Sequence, residues 1–435
     1  MPIQRVLIIG AGIAGMMFGQ CMKEYNIPFE IFEAAESAVE RDQSQPLSVH
    51  RAIPFMKHIF DQDTFDAFRM SSINPNNVTN QFVLMDGVRG EVLFQDPNFP
   101  PTMDLNNQRH DWPVNVYNFD LPNLHRFLER GLDIHWNHSF TGYELINDGI
   151  TATFKDGTTV QGDLLVGADG VQSLIAEQVD AKNSTILPLS YIGVDLNITR
   201  HQYDEIKNTS STYGVLLGPK NGREGIYSMS FSMLDIDMEK GHYRIYVAIS
   251  WLNKSGSSSI PAKRADQIQM VKNISSLFHE PFQSLLSNIT DHQRTYLEPS
   301  YVNIPLPWNN YGRITLIGDA AHSASPYSSE GGNFAIQDAI ELCEYLSKVQ
   351  RNKITISQAL DLYQDTMIRR ASAAVEISRS GTLMWHSSTA NSYKHMIRII
   401  KFIATFFGTV ARFLSPWLTW LQERFPWLQD YMPWV

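Results

Sequence analysis

Three glycines and one acid near the amino end have the types and spacing of a site for phosphates and a ribose. The segment Gly10–Gly15 is Gly-Ala-Gly-Ile-Ala-Gly and lies between an apolar run and a helical pattern. Gly10 permits a tight turn, Gly12 lets the backbone approach a pyrophosphate, and Gly15 lets the helix lie close to the strand. The helix N-terminus then offers N–H groups to phosphates, and Glu33 would accept hydrogen bonds from a ribose. The pattern predicts a dinucleotide site but does not choose between NAD and FAD.

A second set of residues with suitable chemistry lies far along the chain, at Asp319 and in the segment 330–333, Glu-Gly-Gly-Asn. Asp319 ends a predicted buried strand, and its carboxylate is suited to hold the hydroxyl groups of an extended cofactor. Gly331, Gly332 and Asn333 open an amphipathic helix whose N-terminal amides would stabilise the negative charge of a reduced flavin. These residues favour FAD, although a crossover that uses glycine only for packing remains the alternative.

The elements that position these residues are predicted from apolar runs and helical spacing. Val6–Ile9 and Phe29–Phe32 are typical of buried parallel strands. The segment 313–317 predicts a further buried strand, and 334–346 an amphipathic helix. Together they predict an α/β fold with a Rossmann-like FAD-binding domain on a mixed parallel sheet.

The middle of the chain predicts a second domain, interleaved with the first and built on an antiparallel sheet. Residues 81–94 are typical of a hairpin, and residues 188–253 alternate between apolar and polar side chains. C-terminal helices complete the predicted fold. The predicted parts are FAD-binding segments 1–75, 105–180 and 295–370, a substrate domain of 76–104 and 181–294, and a C-terminal helical segment 371–435.

Length and composition restrict the class of protein. The chain has 435 residues, of which 43% are hydrophobic, enough for a sizeable core. Its formal net charge of −10 argues against a non-specific nucleic-acid binder, so we expect no nucleic-acid partner. Two cysteines, Cys21 and Cys343, provide no disulfide framework and favour a reducing compartment. The histidines lack metal-ligand spacing, so no metal site is predicted.

Three motifs follow one another along the chain: Gly10–Gly15 with Glu33, then Gly167–Gly170, then Gly318–His322 with Pro326 and 330–333. In order and spacing they resemble the fingerprints of the single-component FAD-dependent aromatic hydroxylases, the p-hydroxybenzoate-hydroxylase-like or salicylate-hydroxylase-like monooxygenases. The resemblance extends over roughly residues 3–370. In style the chain is most similar to fungal biosynthetic members.

The resemblance implies an FAD-dependent monooxygenase of secondary metabolism. Such an enzyme uses NAD(P)H and O₂ to hydroxylate or epoxidise an aromatic or isoprenoid-type small molecule. A flavoprotein of the same fold without oxygen transfer, either a reductase or a non-redox FAD-binding protein, remains the alternative. The motifs assign cofactor binding to Gly10, Gly12, Ala14, Gly15, Glu33, Asp169, Asp319, Gly331, Gly332 and Asn333.

Three positions depart from the family's pattern, each where the family supplies an arginine. The residues found there are Leu121, Ala176 and Ser328. An arginine from elsewhere would compensate, although a solvated surface charge is the alternative for each candidate. The nearest candidates in sequence are Arg51, Arg109 and Arg126. The departures put NADPH-driven reduction in doubt more than FAD binding.

Few catalytic side chains are demanded by the sequence, because the flavin carries out the chemistry. His50 and Arg51 are candidates for handling a substrate proton, with a structural histidine as the alternative. Pro326 is expected beside the face where oxygen is transferred. Aromatic residues in the middle of the chain either line the pocket or belong to the core, and these are Tyr191, Tyr213, Tyr227, Phe231 and Tyr246.

The carboxyl-terminal residues 396–435 are crowded with aromatic and aliphatic side chains. No stretch without charge in this tail exceeds 10 residues, the length of 402–411, whereas a spanning helix needs roughly 20. This tail predicts either an amphipathic helix pair at a membrane surface or a helical cap on the FAD-binding domain. We therefore expect a protein on the cytoplasmic face, with peripheral attachment to the endoplasmic reticulum or a similar membrane as one alternative, and a lipophilic substrate.

Overall fold

The computed structural model describes residues 2–73, 75, 82–96, 116–207, 213–222, 225–253, 260–290, 292–297 and 299–395. The chain divides into a large unit, Met1–Ser387, and a small one, Ser388–Val435. The small unit is described only as far as residue 395, so the predicted tail 396–435 lies outside the described residues. Over the described ranges, no helix is long and apolar enough to cross a membrane.

The large unit alternates strands and helices along the chain. The strands are β1 (Val6–Ile9), β2 (Phe29–Phe32), β3 (Pro46–Val49), β4 (Phe82–Asp86), β5 (Glu91–Asp96), β6 (Tyr117–Asp120), β7 (Ile134–His135), β8 (Phe140–Ile146), β9 (Gly149–Phe154), β10 (Thr159–Gly162), β11 (Leu164–Gly167), β12 (Ser184–Ile186), β13 (Leu189–Ile198), β14 (Tyr213–Asn221), β15 (Gly225–Asp237), β16 (His242–Leu252), β17 (Thr295–Tyr296), β18 (Tyr301–Asn303) and β19 (Ile314–Leu316). The helices are α1 (Ile13–Glu24), α2 (Ala38–Arg41), α3 (Ile53–Ile59), α4 (Gln62–Met70), α5 (Leu121–Leu128), α6 (Leu174–Gln178), α7 (Arg200–Lys207), α8 (Arg264–Ser275), α9 (Phe282–Ser287), α10 (Gly331–Gln350) and α11 (Ile356–Ser387), with short 3-10 turns at Gly318–Ala320 and Pro326–Ser328.

A five-stranded parallel sheet carries the glycine turn. Its order is β19-β11-β1-β2-β7. Strands such as Val6–Ile9 are buried along their whole length, which explains their continuous apolar sequence. The predicted α/β fold is confirmed, and every strand of this sheet falls within a segment predicted for the FAD-binding domain.

The core beneath this sheet is formed largely by α1 and α10. Most of the buried apolar side chains of both helices belong to one hydrophobic cluster with the parallel strands. Cys21 and Cys343 are fully buried free thiols on these two helices. They therefore pack as small apolar residues, as their positions in helical patterns predict.

A seven-stranded sheet forms the second half of the large unit, in the order β17-β13-β16-β15-β14-β4-β5. Most neighbours are antiparallel, as predicted for this domain, whereas β14 and β4 run parallel. The reason is that the β4–β5 hairpin comes from a distant segment and no short turn connects it to β14.

The two faces of this seven-stranded sheet differ in chemistry. Met229, Phe231 and Met233 of β15 point into a hydrophobic cluster with α8 and α9. The alternate residues Ser228 and Ser232 point to the other face, because successive side chains of a strand alternate. We call the second surface the serine face.

Helix α11 is one continuous helix that crosses the predicted boundary at residue 371. Tyr363, Met367 and Ala371 are buried in the same hydrophobic cluster as the parallel sheet. The large unit ends at Ser387. The predicted C-terminal helical segment 371–435 thus begins inside α11, whose buried face continues without a break through residue 371.

Candidate active site

The glycine turn between β1 and α1 is tightly packed at its outer glycines and open at the middle one. Gly10 has a φ of +104°, and a Cβ on Gly15 would lie 2.0 Å from the Gly10 carbonyl oxygen. A Cβ on Gly12 would meet no described atom within 4 Å beyond its chain neighbours. Gly12 is the N-cap of α1. The open space therefore lies in front of a helix N-terminus, where a phosphate binds favourably.

Glu33 connects the end of β2 to this turn. Its Oε2 accepts a hydrogen bond from the Ala11 N–H at 2.7 Å, and its Oε1 accepts one from the Ala35 N–H at 2.9 Å. Each carboxylate oxygen keeps a second lone pair. Glu33 is thus fixed beside the turn with acceptor capacity left for ribose hydroxyls, a role that stays a prediction.

Arg41 lies in the same region, although the sequence motifs did not predict it as a site residue. Its guanidinium donates to the Ala11 carbonyl oxygen at 3.0 Å and to Glu129 Oε2 at 3.2 Å. The side chain is 8% exposed and lies 5.1 Å from the centre of the Trp136 ring. Arg41 therefore fixes a positive charge at the glycine turn. Its Nε also pairs with the adjacent Asp42 at 2.8 Å, but no local motif marks its contact with the glycine turn, because Ala11 and Glu129 come from distant segments.

Asp169 follows β11 and holds the start of α6. Its Oδ2 accepts a hydrogen bond from the Leu174 N–H at 3.0 Å. Its Oδ1 is buried and has no hydrogen-bond partner among the described residues, and burial raises the pKa of Asp169. A buried acceptor without a donor is destabilising, so this oxygen is suited to a donor from a bound molecule.

The turn after β19 packs directly on α1. Gly318 has a φ of +60°, and a Cβ there would lie 2.8 Å from the Cβ of Ala14. The next residue, Asp319, is exposed, and its Oδ1 lies 3.9 Å from the place of a Cβ on Gly331 at the start of α10. Burial nevertheless raises the pKa of Asp319. Solvent reaches the carboxylate although protein atoms surround it closely. This combination is expected for a residue in the wall of a deep cleft.

A buried ionic network anchors that turn. Asp338 is fully buried, accepts a hydrogen bond from the Gly318 N–H at 2.9 Å and lies 2.7 Å from His322 Nε2. Arg370 of α11 pairs with the other oxygen of the carboxylate. Burial alone would raise the pKa of Asp338, but His322 and Arg370 lower it below its ordinary value. The turn that carries Asp319 is therefore held by α10 and α11 together.

Asn333 uses its whole side chain to hold the N-terminus of α10. Its Oδ1 accepts hydrogen bonds from the N–H groups of His50 and Ala52, at 2.9 and 3.2 Å. Its Nδ2 donates to the carbonyl oxygens of Ser48 and Ser329, at 2.9 and 2.8 Å. Asn333 thus positions the backbone around the predicted flavin site, and a cofactor would meet that backbone rather than this side chain.

Arg51 and His50 both lie against Glu330. Arg51 Nε and Nη2 are 3.0 and 3.1 Å from the two carboxylate oxygens. The interpretation of Arg51 as a solvated surface charge is wrong, because its side chain is 19% exposed and bidentately paired. His50 is 1% exposed, with Nε2 3.8 Å from Glu330. Burial alone would raise the pKa of Glu330, but His50 and Arg51 lower it. His50 and Arg51 therefore belong to the support of α10.

Ser329 occupies a backbone conformation that favours glycine. Its φ is +55°, in the left-handed region, directly before Glu330. A non-glycine residue there costs about 1–2 kcal/mol, whereas glycine loses about 0.4–1 kcal/mol more backbone entropy on folding. We therefore expect Ser329→Gly to raise the free energy of unfolding of the FAD-free protein by about 0.5–1 kcal/mol, measured by urea denaturation.

The control for that prediction is the neighbouring Ser328→Gly. Ser328 lies in the 3-10 turn and donates to the Ser325 carbonyl oxygen at 2.9 Å. Its backbone has ordinary geometry, so glycine there is expected to destabilise the protein. Equal destabilisation by both variants would contradict the account of strain at Ser329.

Two of the three arginines proposed from sequence to compensate for the departures from the family pattern fall within the described residues. Leu121 begins α5, and Ala176 is buried in α6. Arg126 donates to Asn123 at 3.2 Å at an exposed position, and Arg109 lies outside the described residues. Of the two candidates that the structure describes, Arg51 is the one that lies at the cleft, where it pairs with Glu330.

The serine face divides the five aromatic residues proposed for the pocket. Tyr191 pairs with Ser250, and Tyr213 and Tyr246 pair with Ser232, so all three point to this face. Tyr191 and Tyr213 keep part of their surface exposed, whereas Tyr246 is buried. The other two belong to the core of the opposite face, since Tyr227 packs against Trp251 and Phe231 against Phe282. Pocket lining is therefore wrong for Tyr227 and Phe231.

A model of the FAD binding domain family matches residues 4–378 of the chain. The chain belongs to this FAD-binding family. An FAD-dependent monooxygenase of Emericella nidulans, dbaB, is 27% identical over 361 residues, covering 78% of this chain and 86% of the relative. Chloroplastic zeaxanthin epoxidase of Prunus armeniaca is 23% identical, covering 89% of this chain and 56% of that protein.

A solved structure of the same fold is Klebsiella pneumoniae HpxO complexed with FAD and uric acid. It has a TM-score of 0.71 and 19% identity, covering 91% of this chain and 92% of that one. The resemblance drawn from the three motifs is confirmed by the matching family and by relatives named as FAD-dependent monooxygenases. This flavoenzyme is accordingly an FAD-dependent monooxygenase.

The residues of the cleft fit FAD. The space in front of Gly12 accommodates a diphosphate, and Arg41 supplies positive charge beside the same turn. The unpartnered Oδ1 of Asp169 and the exposed carboxylate of Asp319 are acceptors for hydroxyl groups. The backbone at Gly331 begins α10 and presents free N–H groups. Which atoms of FAD each residue holds stays a prediction.

Proposed function

We propose that the monooxygenase takes electrons from NAD(P)H and inserts one oxygen atom of O₂ into a small lipophilic molecule, by hydroxylation or epoxidation. The observation that carries the substrate class is the serine face, where the tyrosines Tyr191 and Tyr213 remain partly exposed beside serines. An amphipathic wall of rings and hydroxyls suits a flat, apolar molecule with few polar groups. We favour an aromatic substrate over an isoprenoid-type one for this reason.

The protein and the cofactor divide the work in this proposal. When bound, FAD supplies electron transfer and activation of O₂, which side chains do not provide. Gly12 and the N-terminus of α1 bind the diphosphate, and Asp319 orients the cofactor through its hydroxyl groups. The N–H groups that begin α10 stabilise negative charge in the flavin region. The serine face orients the substrate and excludes water.

The electron donor is tested by mixing the FAD-loaded protein with NADPH or NADH without oxygen. We expect one of them to bleach the flavin absorbance, faster when an aromatic compound is present. The panel should contain hydroxylated naphthalenes and linear isoprenoid alcohols at equal concentrations. Flavin that neither nicotinamide bleaches under any condition would contradict the proposed donor and favour a non-redox FAD-binding protein. Faster bleaching by the isoprenoids alone would overturn the aromatic class.

A place in secondary metabolism is part of the proposal. It is supported by several relatives, such as the FAD-dependent monooxygenase phnB of Penicillium herquei, which is 25% identical over 394 residues. The match to phnB covers 88% of this chain and 92% of that protein. The biological substrate is then a specialised metabolite rather than a component of central metabolism.

The carboxyl-terminal tail is proposed to attach the enzyme to the cytoplasmic face of a membrane. The support is compositional: aromatic residues and cations are interspersed in 396–435 without a long apolar stretch. Deletion of residues 396–435 is expected to move the protein from the membrane pellet to the supernatant in cell fractionation. Unchanged fractionation after the deletion would favour a cap on the enzyme.

A further inference from the structure

A buried chain of hydrogen bonds connects α11, the seven-stranded sheet and the turn after Pro326. His386 Nδ1 lies 2.7 Å from the Thr382 carbonyl oxygen, and His386 Nε2 lies 2.9 Å from Ser250 Oγ. The Tyr327 hydroxyl contacts the same Ser250 Oγ. His386 is 0% exposed, and the rings of Tyr327 and His386 meet edge to face at 4.9 Å.

The Thr382 carbonyl oxygen at one end of these hydrogen bonds fixes the direction of each of them. A carbonyl oxygen only accepts, so His386 Nδ1 carries the hydrogen that is donated to Thr382. Burial lowers the pKa of His386 to about 4, so the ring is neutral near pH 7. A neutral imidazole has one N–H, and Nε2 is therefore an acceptor. Ser250 must donate to it.

The same logic passes from Ser250 to Tyr327. A serine hydroxyl has a single hydrogen, so Ser250 Oγ, which donates to His386, is an acceptor toward Tyr327. Its other acceptor within reach, the Ser228 carbonyl oxygen, lies at 3.5 Å, longer than the 2.9 Å contact with His386. Tyr327 thus donates its only hydrogen to Ser250. The remaining lone pairs of the Tyr327 oxygen can only accept.

Tyr327 borders the serine face, the surface to which the substrate is assigned above. It follows Pro326 in the turn before α10, and its partner Ser250 points to the serine face beside Tyr191. Tyr327 and Tyr191 are both partly exposed. Burial raises the pKa of Tyr327 further above its ordinary value, so its oxygen stays a neutral phenol. The polar group fixed at this position is therefore an uncharged acceptor.

We propose that Tyr327 is a specificity-determining residue that accepts a hydrogen bond from the substrate, held in this orientation by Ser250 and His386. The substrate class is then an aromatic molecule with a hydroxyl or amino group, in preference to the same ring with that group methylated. A methyl ether has no hydrogen to donate and leaves the phenol oxygen unpaired. This inference rests on the proposed aromatic substrate.

The binding test uses 2-naphthol and 2-methoxynaphthalene with the FAD-loaded protein, followed by the change in flavin absorbance. Wild type is expected to bind the naphthol about tenfold more tightly, the value of one neutral hydrogen bond. Tyr327→Phe is expected to bring the ratio of affinities close to one. Ser250→Ala frees the Tyr327 hydrogen and is expected to shrink the preference, because the methyl ether can then accept it.

The matched control is Tyr203→Phe. Tyr203 is a buried tyrosine of the opposite sheet face, stacked on Tyr243 at 4.7 Å, so this variant removes the same atom far from the serine face. Its affinity ratio is expected to equal that of wild type. Equal binding of the two compounds by wild type would overturn the inference and leave the aromatic class standing. No binding of either compound would overturn the aromatic class and the inference with it.

The tautomer of His386 provides a separate readout that needs no substrate. Protein labelled with ¹⁵N in histidine is expected to show His386 protonated at Nδ1 and bare at Nε2 at neutral pH. The signal is assigned by its loss in His386→Gln. A ring protonated at Nε2 would reverse the chain, make Ser250 an acceptor and free it to donate to Tyr327, and so overturn the inference.

Discussion

Replacement of Gly12 by alanine is expected to lower the affinity for FAD about 10- to 100-fold while leaving the fold of the FAD-free protein intact. The added methyl group meets no described atom within 4 Å beyond its chain neighbours, and the φ of −78° is one that alanine adopts. The space it enters is the one assigned to the diphosphate. Overpacking by one carbon typically costs about 1–3 kcal/mol, and 1.4 kcal/mol is a factor of ten in affinity.

The measurement is a fluorescence titration with FAD, paired with urea unfolding of the FAD-free protein. For Gly12→Ala, the free energy of unfolding is expected to stay within about 0.5 kcal/mol of wild type. Gly15→Ala is the contrasting variant, because its Cβ would lie 2.0 Å from the Gly10 carbonyl oxygen. It is expected to lose both stability and FAD. Wild-type affinity in Gly12→Ala would refute the placement of the diphosphate.

The largest effect on stability is expected for Asp338→Ala. The carboxylate is fully buried, and its removal takes one of two carboxylate partners from the Arg370 guanidinium, which is 12% exposed and keeps Glu341 at 2.8 Å. The Gly318 N–H loses its acceptor as well. Breaking a buried ion pair by removing one partner costs about 3–5 kcal/mol. The loss would be measured as the fall in the free energy of unfolding in urea.

Glu376→Ala is the control for this variant. Glu376 pairs with Arg379 on the exposed surface of α11, at 2.7 Å, where water screens the charges. Its removal is expected to leave stability almost unchanged. Similar losses in the two variants would show that the network around Asp338 does not anchor the turn at Gly318. Asp338→Ala is also expected to weaken FAD binding, because Asp338 holds the turn at Gly318 and Asp319 is the next residue.

Local patterns in the sequence were sufficient for the parts of the site that are contiguous in the chain. Val6–Ile9 and Phe29–Phe32 are strands with the predicted ends. Val6–Ile9 is a run of four apolar residues, and Phe29–Phe32 is a short, largely apolar segment that ends at Glu33. The glycines of Gly10–Gly15 could be assigned individually because each has a geometric reason. The hairpin β4–β5 follows from its turn residues, Asp86–Gly90.

Contacts between distant segments could not be predicted in this way. Arg41 reaches the glycine turn, and Arg51 reaches Glu330, only because the sheet brings those segments together. The chain from Tyr327 to His386 likewise joins a loop, a strand and a helix. The sequence could not assign Tyr227 and Phe231 to the pocket or to the core. Alternation shows which residues share a face of the sheet, but not which face covers the core.

The most direct test of an oxygen-transferring flavoenzyme is a single turnover that bypasses the nicotinamide. The FAD-loaded protein is reduced chemically without oxygen, freed of reductant and mixed with ¹⁸O₂ and an aromatic compound that perturbs its flavin spectrum. We expect a product with one ¹⁸O atom, in an amount approaching that of the flavin. Reoxidation of the flavin to give only hydrogen peroxide, with unlabelled compound recovered for every binder, would contradict it.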